Sequence, residues 1–320
     1  MILTGQAWTN SKRLPIVSPN SVNQDPHHRR AKPMHFVMIL GSLCLAWAMR
    51  YGWKNLIESG GHNWLSRWQT ALICFVLPPL LVVMTAIAVI WMGAEGQMIG
   101  LQAGQLSYAI AILFLIYSIL RSAQLAWSGW QSLQKLQNLV IETENAESEE
   151  SMQILDMPML FAAQIGFWRS QLFISQGLLN KLDAEHLEAV LLHERAHAYY
   201  RDTFWFFWLG CLRQVMPWLP NTQALWEELL LLRELRADRW AAQYADGLLL
   251  AESLLLMVTS NSTPNTTFAA AFGATNTCDR LEERINFLLA TPEPLPQFSL
   301  RSLFWLSFAL LPLTVLPLHY

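Results

Sequence analysis

Residues 70–93 carry no charged side chain, and an apolar run of that length restricts the possible folds more than any other feature of the chain. About 20 apolar residues of helix cross the hydrocarbon core of a bilayer, and in lipid only a helix or a closed barrel satisfies its own backbone hydrogen bonds. The run therefore predicts a membrane-spanning helix, kinked at Pro78-Pro79. Three further stretches read the same way: residues 34–53, with Arg50 tolerated near the end by snorkelling, residues 97–120 and residues 302–318. Residues 203–219 are apolar and Trp-rich but interrupted by Arg213. They predict either a membrane-embedded or interfacial hairpin near the functional site, or a buried core helix. Composition agrees, with 53% hydrophobic and 14% charged residues against roughly 25% charged in soluble domains.

A second constraint is local. His193-Glu194-Arg195-Ala196-His197 lies in a strongly helical stretch, and at about 100° per residue its two histidines share one face, one turn apart. Two imidazoles so placed can grip one Zn²⁺, and the glutamate beside the first can reach a metal-bound water instead of the metal. A catalytic zinc needs a third protein ligand. Downstream, Glu234 and Asp238 form another i, i+4 pair on a helical stretch. Glu234 is the better ligand, and Asp238 could accept the free ring N–H of a ligand histidine and fix its tautomer. Read without the upstream motif, both would belong to a charged face with Arg233, Arg236 and Arg239. His186 is expected at the surface, and His35, His62 and His319 near span ends. Glu227 and Glu228 lack a carboxylate partner four residues on.

These residues resemble the BlaR/MecR-type membrane metallopeptidases and, more distantly, the HtpX-like and CAAX prenyl-protease gluzincins. The resemblance rests on the run from Leu187 to Glu194, on Arg201-Asp202 and on the Glu234…Asp238 pair. It also takes in Phe173-Ile174-Ser175-Gln176-Gly177-Leu178-Leu179, similar to the strand and turn before the zinc helix. It implies His193, His197 and Glu234 as zinc ligands, Glu194 as catalytic base, and Asp238 as the carboxylate behind a ligand histidine. The antibiotic-sensing members carry a sensor after the last span; this sequence ends at Tyr320, so sensing of that kind is not expected.

The expected fold is mainly α: a helical integral-membrane protein with an inserted gluzincin-type zinc peptidase domain containing a small β element. Residues 1–33 are polar, contain Pro15, Pro19, Pro26 and Pro33, and lack the apolar core of a signal peptide. They read as a disordered tail, and Met34 is an alternative start. Residues 34–127 form a three-span region, 128–150 a linker with a solvated acidic run, 151–297 the zinc peptidase domain and 298–320 a last span. Residues 261–267 are a turn-rich loop, and Asp279 with Glu282 suggests a capping box for a helix to Leu289. The scattered cysteines Cys44, Cys74, Cys211 and Cys278 suggest neither disulfides nor a thiolate site.

Arg50, Lys54 and Arg67 follow the first span, none follows the second, Arg121 and Lys135 follow the third, and Arg301 precedes the last. Positive-inside then puts the catalytic region in the cytoplasm, as the resemblance also implies, at a bacterial-type inner membrane. Lys12, Arg13, Arg29, Arg30 and Lys32 oppose this unless the chain starts at Met34. A net charge of −3 gives no reason to expect nucleic acid or acidic lipid as a partner. The expected activity is zinc-dependent endoproteolysis, regulatory cleavage of a cytoplasmic repressor or signalling partner. The alternatives are quality control of membrane proteins, or a catalytically silent receptor or scaffold that keeps zinc for structure. Tyr199, Tyr200, Tyr244, Arg236 and Arg239 are unranked candidates for oxyanion stabilisation.

Overall fold

The computed structural model describes residues 34–52, 64–93, 97–98, 101–102, 105–145, 151–260, 277–290 and 300–318. The expectations for residues 1–33 and 261–267, and those for His62 and His319, lie outside them.

The uncharged run is the body of α2 (Trp64–Met92), which follows α1 (Met34–Tyr51). The helix continues through Pro78 and Pro79, both buried. A two-residue ladder, β1 (Gln97–Met98) with β2 (Leu101–Gln102), precedes α3 (Gln105–Gln137). Among the described residues two helices, α2 and α3, are long and apolar enough to cross a membrane. They differ in surroundings: α2 is largely buried by its neighbours, whereas Leu106, Ile110, Leu113, Ile119 and Leu120 of α3 are exposed.

Four spans of α-helix were expected, and the structure departs from this at three places. The third helix starts at Gln105, beyond the small ladder, and continues to Gln137, so that Leu133 and Leu136 belong to it and not to a linker. The acidic stretch after it begins as a strand, since backbone pairing with a neighbouring strand overrides its charge as far as Asn145. The last apolar segment is α10 (Leu300–Ser307) followed by a 3₁₀ helix, Phe308–Leu318. Pro312 and Pro317 there lack the N–H an α-helix requires. Arg50 does not snorkel: it is buried, donates from Nη2 to the Phe75 carbonyl at 3.1 Å, and lies over the Phe75 ring.

A four-stranded sheet follows, built from β3 (Val140–Asn145), β4 (Ser151–Leu155), β5 (Ala162–Ile165) and β6 (Gln171–Ser175) in the order β3-β4-β6-β5. The β4–β6 pair is parallel and the other two are antiparallel. Period-two alternation gives the sheet two apolar faces. Leu155 and Phe173 pack with Leu136 and Leu133 at the end of α3, while Ile174 packs with Leu178 and Val190. The sheet is thereby wedged between the tail of α3 and the next long helix.

That helix is α5 (Ala184–Tyr199), reached through the short α4 (Gln176–Lys181). Asp183 caps it by accepting from the His186 N–H at 2.9 Å. The chain continues as α6 (Asp202–Val215), α7 (Thr222–Ala241), α8 (Gly247–Ser260) and α9 (Thr277–Leu289). Because α9 starts at Thr277, Asp279 lies within the helix and not at its N-cap. The stretch read as a possible hairpin is α6 with the turn after it: Val215, Met216 and Leu219 pack against Ala46 of α1, Val82 of α2 and Phe114 of α3.

Ser175 fastens the segment that feeds β5. Its Oγ donates to the Met159 carbonyl at 2.6 Å and accepts from the N–H groups of Phe161 at 3.0 Å and Leu178 at 3.1 Å. The same segment presses on Gly177, where an added Cβ would collide with the Pro158 carbonyl and lie 2.9 Å from that of Met159. Gly177→Ala should therefore destabilise the protein by about 1–3 kcal/mol, read as a lower thermal unfolding midpoint. An unchanged midpoint would show that the segment yields freely.

Candidate metal centre

His193 and His197 lie on the buried face of α5, one turn apart, with ring planes at 85°. Their Nε2 atoms are 3.1 Å apart. Glu234, brought in by α7, places Oε2 3.4 Å from His193 Nε2 and Oε1 3.8 Å from His197 Nε2. Ligands bound to tetrahedral Zn²⁺ at 2.0–2.1 Å stand about 3.4 Å from one another. The three side chains thus fit such an ion in spacing as well as chemistry, and they are the three that converge as a potential metal site among the described residues.

Each histidine is backed by its own carboxylate, and each carboxylate by an arginine. His193 Nδ1 is 2.8 Å from Asp238 Oδ1, a close ion-pair contact off the line of a good hydrogen bond. Asp238 is fully buried and accepts from Arg284 Nε and Nη2, both at 2.7 Å. His197 Nδ1 is 2.7 Å from Asp202 Oδ2, and Asp202 Oδ1 accepts from Arg236 Nη2. Since a carboxylate only accepts, the Asp202 bond holds the hydrogen on His197 Nδ1 and leaves Nε2 for a metal, and the negative charge of Asp238 beside His193 Nδ1 favours the same arrangement there.

Asp238, expected from the sequence behind a ligand histidine, lies beside His193, and Asp202, given no role there, lies beside His197. Asp202 comes under His197 because Arg201 takes a left-handed conformation, φ 53°, which turns the chain back after α5. Arg284 was also missed, since it arrives from α9. A site gathering several buried carboxylates requires a cation, but nothing in the spacing says which.

The electrostatics favour a cation at the centre. Burial opposes charge on His193, yet Asp238 and Glu234 outweigh it and raise its pKa to about 9. Burial likewise works against the Glu234 carboxylate, but Arg233, the histidines and Arg284 hold it well below the usual range. Glu194 goes the other way: burial raises its pKa, with the histidines opposing. Its Oε2 accepts from the Gln164 backbone N–H of β5 at 3.0 Å, so the intended base is held against the edge strand of the sheet.

A cavity of about 1120 Å³ opens onto these groups. Its walls are Ala126, Gly129, Trp130 and Leu133 of α3, residues 159–168 around β5, and Phe207 and Trp208 of α6, with His193, Glu194, His197, Arg233 and Glu234 at one end. None of the five oxyanion candidates lines it; Arg233, not among them, does. Arg236 is instead engaged behind His197, where it also overlies Tyr200. His186 pairs with Asp183 and Glu252, Glu228 with Arg67, and Glu227 with Arg280, all apart from the centre. Cys74 and Cys211 are buried and Cys44 exposed, all three unbridged.

Residues 130–273 match the family model for Peptidase family M48, a segment that contains both histidines, Glu194, Glu234 and Asp238. The match supports a metallopeptidase, and the His193, His197 and Glu234 cluster is where its metal would be held. No curated protein matches the chain.

Two substitutions test the carboxylates behind the histidines. Asp202→Asn and Asp238→Asn should each weaken zinc affinity about 10- to 100-fold, whereas Glu234→Ala should nearly abolish occupancy. Asp238→Asn should also lower stability, because it removes the carboxylate that accepts two hydrogen bonds from the buried Arg284 and leaves it only the longer contact to Glu234. Metal titration alongside thermal unfolding separates the two effects, and equal zinc loss in all three variants would contradict the ligand assignment.

Proposed function

We propose that the chain is a membrane-embedded zinc endopeptidase with its catalytic face in the cytoplasm. One observation carries the catalytic part: Glu194 is buried in the same cavity wall as three convergent metal-ligating side chains, close to the metal position without being a ligand. A silent scaffold would have no use for that glutamate.

His193, His197 and Glu234 would hold a zinc ion, which would supply Lewis acidity for the attacking water and the scissile carbonyl. Glu194 takes the proton of the attacking water and delivers it to the leaving amine. Its raised pKa suits both roles, because a base must also return what it accepts. β5 is an edge strand beside this base, and its free backbone groups can pair with an extended peptide. Arg233 lines the cavity while paired with Glu234 Oε1, and is the candidate cation for charge developing on the scissile carbonyl.

The membrane reading rests on α2 and α3. If residues 105–124 of α3 fill the bilayer, Phe114 lies near its middle, and Trp130 is about 24 Å further along the helix, at headgroup depth. Arg67, at the start of α2, pairs with Glu228 of α7 and Glu283 of α9, so the basic end of that helix and the metal centre share one side. Positive-inside then makes that side cytoplasmic.

Two substrate classes follow. The resemblance to BlaR/MecR-type enzymes favours regulatory cleavage of a cytoplasmic repressor or signalling partner, without direct contact to nucleic acid. Quality control of membrane proteins is favoured by the cavity wall itself: Ala126, Gly129, Trp130 and Leu133 are a helical stripe on α3 just past its span-length segment. Comparing new N-termini in cells carrying the native chain and cells carrying Glu194→Gln decides between them.

Glu194→Gln should retain near-stoichiometric zinc while proteolysis falls about 10²- to 10⁴-fold; metal analysis of the purified variant together with a peptide-cleavage assay checks both parts. For orientation, single cysteines at Gln105 and Lys181 in a cysteine-free background should respond oppositely to a membrane-impermeant thiol reagent on intact cells, with only Gln105 labelled. Labelling at Lys181 instead would place the centre outside and exclude a cytoplasmic substrate.

A further inference from the structure

The start of α2 grips α7 along one line. Glu228, Leu232 and Arg236 recur every four residues on α7 and so share a face. Arg67 Nε donates to Glu228 Oε1 at 2.9 Å, and Trp64 Nε1 donates to the Leu232 carbonyl at 3.2 Å. Arg236 completes the line, its guanidinium carbon 4.9 Å from the centre of the Trp68 ring. Trp68 is stacked on Trp64, centroids 5.4 Å apart and planes within 9°.

Arg236 does not end at Trp68. It also lies 4.1 Å from the centre of the Tyr200 ring, and its Nη2 donates to Asp202, whose other oxygen holds His197 Nδ1. Its Nε is buried and has no hydrogen-bond partner among the described residues. Two ring faces and one carboxylate therefore fix the guanidinium, an arrangement that needs a planar cation able to lie on a ring while pointing a donor sideways. Asp202 is itself almost fully buried. Without Arg236 it would lack a counter-charge and lose the orientation that fixes the His197 tautomer.

We propose that Arg236 is a positioning residue for His197, and that Trp68 makes the start of membrane helix α2 the structural input to that position. The inference rests on the zinc-peptidase reading. A shift of the first turns of α2 moves the Trp68 ring, Arg236 follows, and Asp202 transmits the change to the imidazole that must present Nε2 to the metal. The membrane region is thereby coupled to the chemistry through four named side chains.

The test uses the full-length protein in detergent, with Arg236→Met, Arg236→Lys, Trp68→Leu and Trp68→Phe. Two quantities are read: zinc affinity by chelator competition, and the ring ¹⁵N resonances of His197 in protein labelled at histidine. Arg236→Met should weaken zinc about 10- to 100-fold and shift the His197 Nδ1 resonance, and Arg236→Lys should recover part of both. Trp68→Leu should move both readouts in the same direction, several-fold in affinity, while Trp68→Phe, which keeps a ring face, stays within about twofold of the native chain. Variants that unfold more easily but keep native zinc affinity and an unmoved His197 resonance would reduce Arg236 to packing and overturn the proposal. A native chain that takes up no zinc would overturn the peptidase reading itself, and the positioning role with it.

Discussion

Two histidines presenting Nε2 to one point depend on what holds their other nitrogens. In this chain each is held by a buried aspartate, and each aspartate by an arginine from a different part of the fold: Asp238 by Arg284 of α9, Asp202 by Arg236 of α7. A buried carboxylate without a cation would protonate or reorient, and the imidazole would follow. The two His–Asp–Arg relays therefore explain why α5, α6, α7 and α9 must pack as they do. They also explain why a chain poor in charge concentrates so much of it in one place.

The same packing sets the relation between the centre and the long apolar helices. The tail of α3 supports one face of the sheet with Leu133 and Leu136 and lines the cavity with Ala126, Gly129 and Trp130. At the other end, the turn after α6 reaches Ala46, Val82 and Phe114. The catalytic region is interleaved with the long apolar helices and is not merely tethered to them. One wall of the cavity beside β5 is thus made by α3, one of the two long apolar helices.

What could be read from the sequence was what is local. The i, i+4 spacing of His193 and His197, and of Glu234 and Asp238, survives folding because helix geometry alone puts those pairs on one face. The uncharged run of α2 was legible for a similar reason, since length and composition suffice. Asp202 was not, because its place depends on a left-handed turn at Arg201, a residue type with no preference for that conformation. Arg284 and Arg233 were not, because choosing among many basic residues requires tertiary contacts. The strand at Val140–Asn145 was hidden by its own acidic composition; partnership with β4, not propensity, decides it. The last segment was read as one α-helix from hydropathy, which is insensitive to the missing N–H groups of Pro312 and Pro317.

Charge balance ties these observations together. Glu194, Glu234, Asp202 and Asp238 are set against Arg233, Arg236 and Arg284, four carboxylates and three guanidiniums around the two histidines. The arginines are spent on Glu234 and on the two aspartates behind the histidines, so the carboxylate left without a guanidinium in contact is Glu194, held by one backbone N–H of β5. Burial pushes all three of Glu194, Glu234 and Asp238 upward, but it prevails at Glu194, while neighbouring arginines and histidines drive Glu234 and Asp238 down. On the proposed reading, environment alone separates carboxylates of similar intrinsic acidity into one that stays charged to hold a cation, one that stays charged to orient an imidazole, and one able to exchange a proton. The division of roles follows from which side chains the arginines can reach, and that is decided by the helix packing and not by the motif.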